Sequence, residues 1–460
     1  MREESILETT HAPVIPDLWK HQVEAVEFCK DRLGSLLFCG LGTGKTRIAV
    51  ELLEEWKVKT VLVVCPLSVI QSWSDQMDEF KRRDWVVLPL NKKTVRQRTK
   101  QAKEAIQRAS QSGRPIMLVI NYESVYREPF GKWALAQGFD ALICDESHRL
   151  KSPKGIQARY MARIGRTVER CLLLTGTPMP HGPLDIFSQA RVMDPEVFGT
   201  NYYRFRWRFA VLGGYAGHEV VGYKNGDELA RKMDDFTFQA GREVLDLPEA
   251  THTRRMVELQ VPQLYKAIEN GLRVEVQSGE ISTANALTRL LRLQQLTGGY
   301  AATEEGEVID TAKEDELEAL FNEMDKDEPV VVFAQFRHDL EAIHRAAERA
   351  GKGSLELSGK RRELEEWKKP DAPPVLAVQI HSGGVGVSLV RARICVYYST
   401  GYNNGDYIQS LARCHRPGQE NQVSFYHLVA ANTIDERVYE ALRKKQSVVD
   451  AILDHLGGPR

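Results

Sequence analysis

The sequence predicts an α/β protein built from two doubly wound parallel-sheet lobes. Short, almost continuously apolar runs alternate with longer amphipathic stretches, and such runs are typical of strands covered by helices on both faces. The runs form two series along the chain of 460 residues, which indicates two sheets. The first series comprises Ser35–Cys39, Thr60–Cys65, Ile116–Asn121, Ala141–Cys144 and Cys171–Leu174, and the second comprises Val330–Phe333, Val375–Gln379, Ile394–Tyr398 and Val423–Leu428.

The stretch between the two series has a different pattern, with glycine pairs and a mainly helical segment at Leu264–Leu296. We therefore place the junction of the lobes near Asp246–Thr253. This gives an N-terminal lobe over residues 1–246 with a helical and basic protrusion at about 193–245. The C-terminal lobe covers residues 247–460 and carries a helical protrusion at about 254–300.

Composition predicts a soluble globular protein, with 42% hydrophobic and 27% charged residues. The net charge of −1 means that any polyanion site must be a local patch. No apolar run approaches the ~18–20 residues that cross a bilayer, and the N-terminus lacks the apolar core of a secretory signal. Seven scattered cysteines without a C-x-x-C pair favour reduced, buried thiols rather than a zinc site. We expect a cytoplasmic protein without a membrane partner.

A glycine-rich phosphate loop is the most specific motif. Leu36–Ile48 reads as an apolar strand, a glycine turn and the start of a helix, so backbone N–H groups would point at an anion. Within it, Gly42, Thr43 and Gly44 form the turn. Lys45 would reach the β- and γ-phosphates and the Thr46 hydroxyl would bind Mg²⁺. Cys39 stands where the strict pattern has glycine. The alternative, a glycine turn with a surface lysine, does not account for the order of strand, loop and helix.

Two adjacent carboxylates, Asp145 and Glu146, follow the apolar strand Ala141–Cys144. The carboxyl ends of strands in an open α/β sheet face the ligand crevice, so Asp145 is placed to hold Mg²⁺ and Glu146 to activate water. A surface Asp-Glu pair is the alternative interpretation. Together with the phosphate loop, the pair predicts magnesium-dependent cleavage of a nucleoside triphosphate.

Arg413 and Arg416 are candidates for the positive charge that such a reaction needs. They lie at i and i+3, so a helix would put both on one face. A solvated basic face is the other interpretation.

Taken together, these motifs resemble the helicase-like ATPases of superfamily two, and more closely the Swi/Snf family of double-stranded DNA translocases. The resemblance covers most of the chain, and the motifs occur in family order. Its segments are Leu18–Gln22, the phosphate loop, Val63–Trp73, Asn121–Ser124, Asp145–His148, Thr175–Pro178, Val330–Leu340, Ser382–Leu389, Gln409–Gln419 and Thr433–Val438.

The resemblance implies two RecA-like lobes that hydrolyse ATP with Mg²⁺ and bind duplex DNA without sequence specificity. It assigns adenine recognition to Gln22. Coupling between the ATP and DNA sites is implied for His148, Thr175, Thr177 and Gln409, and contacts with nucleic acid for Ser68, Asn121, Ser382, Gly383 and Gly384. We expect a monomeric motor of the compact prokaryotic or phage-like kind.

The segment Tyr202–Phe209, YYRFRWRF, could add to the nucleic-acid surface. As a strand it would place Arg204, Arg206 and Arg208 on one face for phosphate contacts and the aromatic rings on the other. The alternative is a small protrusion with an aromatic core and solvated arginines.

Two other functions fit the same motifs. One is a strand-separating DNA or RNA helicase of the same superfamily. The other is a nucleotide-gated switch that binds a protein partner and translocates little.

The chain also departs from the Swi/Snf pattern at Cys39 and at Tyr402-Asn403-Asn404, where the family usually has Trp-Asn-Pro.

Overall fold

The structure, a computed structural model, describes residues 15–213, 219–269, 291–303, 306–380, 387–401, 404–440 and 442. The chain divides into two compact units, each built on one parallel sheet. Unit 1 consists of Met1–Pro178 and Leu184–Val244, and unit 2 consists of Met179–Pro183 and Leu245–Arg460.

The sheet of unit 1 has seven parallel strands in the order β3-β4-β2-β5-β6-β1-β9. Its strands are β1 (Gly34–Cys39), β2 (Thr60–Cys65), β3 (Val86–Pro89), β4 (Ile116–Asn121), β5 (Ala141–Asp145), β6 (Arg170–Thr175) and β9 (Thr237–Ala240). A separate antiparallel hairpin pairs β7 (Ala210–Gly213) with β8 (Glu219–Tyr223). Every residue of the interior strand β4 is buried, as expected for a strand covered on both faces.

Helices follow most strands of unit 1. They are α1 (Lys20–Cys29), α2 (Lys45–Glu55), α3 (Ile70–Phe80), α4 (Val95–Ser112), α5 (Tyr122–Val125), α6 (Phe130–Gln137), α7 (Ile156–Ile164), α8 (Ile186–Met193), α9 (Tyr202–Phe209) and α10 (Gly226–Asp234). The start of α4 is an example of a helix boundary that the sequence determines through capping hydrogen bonds. Thr94 Oγ1 accepts a hydrogen bond from the Gln97 backbone N–H, and the Gln97 side chain accepts one from the Thr94 N–H.

The sheet of unit 2 has six parallel strands in the order β10-β17-β16-β13-β15-β14. They are β10 (Ala250–Val257), β13 (Val330–Ala334), β14 (Ser354–Leu357), β15 (Val375–Gln379), β16 (Ile394–Tyr397) and β17 (Val423–Ala430), beside a hairpin of β11 (Tyr300–Thr303) and β12 (Gly306–Ile309). The helices are α11 (Ala312–Asn322), α12 (Arg337–Arg349), α13 (Leu364–Trp367) and α14 (Asn404–Cys414), with further helical residues at 262–269, 291–297 and 434–440. One apolar cluster lies on each face of this sheet.

The predicted fold class is confirmed, because both sheets are parallel and covered by helices. Two of the details were wrong. The region at about 193–245 is not only helical, since it forms the β7–β8 hairpin and contributes β9 to the main sheet beside β1. The helical region expected from residue 254 overlaps β10, which pairs with β17. Of the stretch 264–296, residues 270–290 lie outside the described part.

The segment Tyr202–Phe209 is the helix α9, so the strand considered for it is wrong. Asn201 explains the helix, because its side-chain oxygen accepts hydrogen bonds from the backbone N–H groups of Tyr203 (3.0 Å) and Arg204 (3.2 Å). Phe205 and Phe209 are the buried residues of the helix. The three arginines therefore do not share one face.

All seven cysteines are buried free thiols. Burial raises the pKa of Cys29 to about 12 and that of Cys39 to about 11. Among the described residues, no helix is long and apolar enough to cross a membrane.

Candidate active site

The phosphate loop of unit 1 joins the end of β1 at Cys39 to the start of α2 at Lys45. Gly42 and Gly44 have φ angles of 90° and 81°, in the left-handed region that favours glycine. A Cβ atom on Gly44 would also lie 2.4 Å from Nε2 of Gln22. The loop conformation therefore requires glycine at position 44.

The Lys45 ammonium group lies over this loop. Its Nζ donates hydrogen bonds to the carbonyl oxygens of Cys39 at 2.9 Å and Gly40 at 3.2 Å. Thr43 Oγ1 donates to the same Gly40 oxygen at 2.7 Å. Thr46 is the second residue of α2 and is half-buried. A lysine and a helix N-terminus thus place positive potential at one end of the sheet.

Gln22 and His21, at the start of α1, lie beside the same loop. Gln22 Nε2 donates to the Thr43 carbonyl oxygen at 3.1 Å, and Gln22 Oε1 accepts from the Trp19 backbone N–H at 3.0 Å. His21 Nε2 lies 2.8 Å from the same Thr43 oxygen. These bonds fix the side chain to which the sequence assigns adenine recognition.

Asp145 ends β5 and is held by three neighbours. Its Oδ2 accepts from the Trp73 indole N–H at 2.9 Å, and its Oδ1 accepts from the Glu146 backbone N–H at 2.9 Å. The Tyr122 hydroxyl donates to its carbonyl oxygen at 2.8 Å. Burial, and then the adjacent Glu146 carboxylate, raise the pKa of Asp145 to about 6, whereas the Trp73 bond and Lys45 lower it.

Glu146 is buried and continues the site toward β6. Its Oε2 lies 3.2 Å from His148 Nδ1, and the same nitrogen lies 3.2 Å from Thr175 Oγ1. Thr175 Oγ1 in turn accepts from the Thr177 backbone N–H at 3.1 Å. Burial raises the pKa of Glu146, but the hydrogen bond and charge of His148, together with the charges of Lys45 and Arg149, outweigh it, so this pKa is lowered overall. We call Glu146, His148, Thr175 and Thr177 the coupling chain.

Unit 2 carries the two candidate arginines. Arg413 is buried near the end of α14, and its carbonyl oxygen accepts from the Leu389 backbone N–H at 2.9 Å. Because α14 ends at Cys414, Arg416 lies beyond the helix, and the expectation of one shared helical face was wrong. Arg416 Nη1 donates to the Val387 carbonyl oxygen at 3.4 Å. Burial lowers the pKa of both guanidinium groups, which nevertheless remain charged. Gln409 lies on α14 and is half-buried.

Two family models match this chain. The SNF2-related domain matches residues 21–297, and the helicase conserved C-terminal domain matches residues 312–418. The first match covers more than half of the sequence and includes the phosphate loop, both carboxylates and the coupling chain. The chain belongs to the SNF2-related family. It is a helicase-like ATPase of superfamily two, as the motifs indicated.

This SNF2-related ATPase is 26% identical to the SWI/SNF-related matrix-associated actin-dependent regulator of chromatin subfamily A-like protein 1 homolog of Caenorhabditis elegans, over 95% of this chain and 62% of that protein. The chain thus spans about three fifths of the nematode protein. It is 28% identical to protein p41 of Acyrthosiphon pisum secondary endosymbiont phage 1, over 91% of this chain and 94% of that protein. Among solved structures, the Sulfolobus solfataricus SWI2/SNF2 ATPase core in complex with dsDNA has a TM-score of 0.45 and 20% identity, over 97% of this chain and 94% of that one.

The candidate nucleic-acid residues of this SNF2-related chain have different surroundings. Ser68 is exposed in the turn after β2. Asn121 is buried, with its Oδ1 bonded to Arg98 at 2.8 Å and its Nδ2 to Glu123 at 2.6 Å, so its amide already has partners on both sides. Ser382, Gly383 and Gly384 lie outside the described residues.

The arginines of α9 also differ from one another. Arg208 is bonded to Glu228 through both Nε (2.9 Å) and Nη2 (2.6 Å). Arg204 is exposed, and Arg206 is half-buried.

Sequence reasoning missed three side chains that support the SNF2-related site. Trp73 and Tyr122 hold Asp145. Gln189 accepts from the Ser147 hydroxyl at 2.9 Å and donates to the Pro178 carbonyl oxygen at 2.6 Å. Trp73 was part of a recognised motif, but only the fold shows that its ring reaches a carboxylate 72 residues away.

Proposed function

We propose that this SNF2-related ATPase is a motor that moves along duplex DNA without sequence specificity, driven by hydrolysis of MgATP. The observation that carries the proposal is the coupling chain. It is a continuous set of polar contacts from Glu146 through His148 to Thr175 and Thr177. A carboxylate that activates water is thereby connected to the segment after β6. A shift of the Glu146 side chain can therefore move Thr177, and a shift of Thr177 can move Glu146.

The residues of unit 1 suit triphosphate cleavage. The glycine loop and the N-terminus of α2 supply backbone donors for phosphate oxygens. Lys45 adds a charge that can move from the Cys39 and Gly40 carbonyl oxygens to the β- and γ-phosphates, since lysine is flexible. Glu146, with its lowered pKa, is a carboxylate that can orient the attacking water.

Thr46 and Asp145 fit Mg²⁺, because both offer the oxygen atoms that this ion prefers. The Trp73 and Glu146 donors use one lone pair on each Asp145 oxygen and leave the others for a metal or its water. When bound, Mg²⁺ would neutralise charge that develops on the phosphates.

We further propose that Arg413 and Arg416 stabilise the charge of the transferring phosphoryl group, as an arginine supplied by a second lobe does in related chemistry. Replacing Arg416 with alanine should then reduce kcat by about 10³-fold or more, with a smaller effect on nucleotide affinity. Turnover within threefold of wild type would remove Arg416 from the reaction.

Duplex DNA as the track is supported by the Swi/Snf-like motif order and by the name of the nematode relative, a regulator of chromatin. The phage relative, similar along almost its whole length, supports a compact motor in a prokaryotic or phage-infected cell. A monomeric motor and a cytoplasmic location stay predictions.

The deciding experiment measures ATP turnover with and without duplex DNA. We expect duplex of any sequence to accelerate turnover, and Lys45→Ala or Glu146→Gln to abolish it. Triplex displacement and strand unwinding should be assayed in parallel. A motor of the proposed kind displaces a third strand without separating the duplex, whereas unwinding would favour a strand-separating helicase. ATP turnover that no nucleic acid accelerates would refute the motor proposal.

A further inference from the structure

The outer face of α9 carries two exposed aromatic rings that duplex translocation does not explain. Tyr203 is 63% exposed and Trp207 is 68% exposed. They lie four residues apart, so they are neighbours on one helical face. Large apolar side chains side by side in water are a feature that calls for a function.

The orientation of this face is fixed by packing on the opposite side. Phe205 and Phe209 are buried, with ring centroids 4.8 Å apart, and Phe187 lies 5.1 Å from Phe205. The N-cap bonds of Asn201 hold the first turn. The outward rings therefore belong to a well-anchored helix.

A lysine stands against each exposed ring. Lys154 Nζ lies 5.8 Å from the Tyr203 ring centroid, and Lys224 Nζ lies 5.0 Å from the Trp207 ring centroid. Within the part of the chain that the structure describes, neither ammonium group has a carboxylate oxygen within 4.0 Å. Arg204, exposed and three residues before Trp207, adds a third cation. The surface is thus a row of two rings flanked by positive charge.

We propose that Tyr203 and Trp207, with Lys154, Lys224 and Arg204, form a stacking surface for unpaired nucleotides. Aromatic rings bind nucleic acid by stacking on base faces, and nearby cations attract the phosphates. A duplex hides its base faces in its own stack, so the rings favour single-stranded DNA. Charge complementarity selects an anionic ligand, because Lys154, Lys224 and Arg204 are all cations and the nearby Glu228 carboxylate is bonded to Arg208.

The inference goes beyond the proposed motor, and it can be tested without ATP. The full-length chain is titrated against a fluorescent oligo-dT 20-mer and against a 20-base-pair duplex at fixed salt. We expect Trp207→Ala to weaken oligo-dT binding by about 5- to 100-fold and to change duplex binding by less than about twofold. Trp207→Phe, which keeps a ring, should retain most of the affinity. Tyr203→Ala should act in the same direction as Trp207→Ala.

Two controls separate stacking from other effects. Leu33→Ala removes an apolar side chain that is 65% exposed at a different place, and it should leave oligo-dT binding unchanged. Arg108→Gln removes an exposed cation on a different helix, α4, and should have little effect.

Three results would overturn the proposal: no oligo-dT binding by the wild type, equal binding by wild type and Trp207→Ala, or equal loss for oligo-dT and duplex. Concentration-dependent self-association that Trp207→Ala abolishes, without oligo-dT binding, would place a second copy of the chain on this face instead. Oligo-dT binding does not involve nucleotide hydrolysis. The binding result therefore stays interpretable if the motor proposal fails, and the motor assays stay interpretable if the stacking proposal fails.

Discussion

The indole N–H of Trp73 donates a hydrogen bond of 2.9 Å to Oδ2 of Asp145, across 72 residues of sequence. Trp73 is buried on α3, and Asp145 ends a central strand of the same sheet. The indole thus supports the carboxylate that we assign to magnesium. It comes from the same segment, Val63–Trp73, as Ser68, to which the resemblance assigns contact with nucleic acid.

Trp73→Phe keeps a ring in the buried site but removes the donor. We expect ATP turnover at limiting Mg²⁺ to fall about 10- to 100-fold, because a partner that orients a metal ligand has effects of that size. The measurement is turnover as a function of Mg²⁺ concentration. Trp85→Phe is the matched control, since Trp85 is also buried and donates to the Glu54 carboxylate at 2.9 Å, and it should change stability without moving the Mg²⁺ dependence.

Gly44→Ala should disturb Gln22 as well as the loop. The φ of 81° is strained for alanine, by roughly 1–2 kcal/mol. The added Cβ would lie only 2.4 Å from Gln22 Nε2, so the Gln22 amide would have to move. We expect weaker ATP binding and a smaller preference for ATP over GTP, both measurable by equilibrium titration. Gly113→Ala is the control, because its φ is 70° but nothing lies within 4 Å of the new Cβ. If both variants bound ATP alike, the contact with Gln22 would have no consequence.

Lys313 and Asp435 form a buried ion pair in unit 2. Lys313 is 1% exposed, and its Nζ donates to the Tyr398 carbonyl oxygen at 3.0 Å as well as to Asp435. Lys313→Met leaves the Asp435 carboxylate unpaired, so we expect the free energy of unfolding to fall by about 3–5 kcal/mol. Adding Asp435→Asn should recover much of that loss.

Urea unfolding measures these changes. Lys368→Met serves as the comparison, because its partner Glu365 is largely exposed and such pairs contribute little. A double variant as unstable as Lys313→Met alone would mean that packing, rather than the unpaired charge, sets the loss.

His427 should make the folded chain sensitive to acid. Burial, and then the neighbouring His252, lower the pKa of His427 to about 3. Because the unfolded value is about 6.5, the unfolded state takes the proton first. Stability is therefore complete above about pH 6.5 and is lost as the pH falls toward 3. Between pH 7 and pH 5 this one group lowers the free energy of unfolding by about 2 kcal/mol.

His427→Phe keeps a ring against Tyr397, whose centroid lies 4.8 Å away, and removes the titration. We expect the loss of stability from pH 7 to pH 5, measured by urea unfolding, to shrink by about 2 kcal/mol. Loss of the Tyr407 bond lowers stability at both pH values and cancels in the difference. His338→Phe, at a half-buried ring, is the control. An unchanged pH response in His427→Phe would contradict the prediction.

The sequence predicted the buried strands well because their side chains are apolar on both faces, as in β2 and β4. It missed β10, which is mostly exposed and reads ATHTRRMV, since an edge strand needs no apolar pattern. It missed β9 because four residues carry too little pattern. For Tyr202–Phe209 the alternation of arginine and aromatic residues suggested a strand, and the N-cap at Asn201 was the overlooked signal.

The candidate site shows the same division. Lys45, Asp145 and Glu146 could be named from the sequence because a strand, a loop and a helix order them locally. Trp73, Tyr122 and Gln189 could not, because their partners come from other strands and become neighbours only when the sheet forms.

The seven buried thiols offer a practical reporter. Burial keeps reagents away from all seven thiols, and it also raises the pKa of Cys29 and Cys39. Because only an accessible thiolate reacts readily with alkylating reagents, the native protein should stay unlabelled at neutral pH. Cys65 and Cys144 lie in the sheet of unit 1 and Cys395 in that of unit 2. Alkylation followed by peptide mass mapping would therefore time the opening of each sheet separately, with no engineered probe.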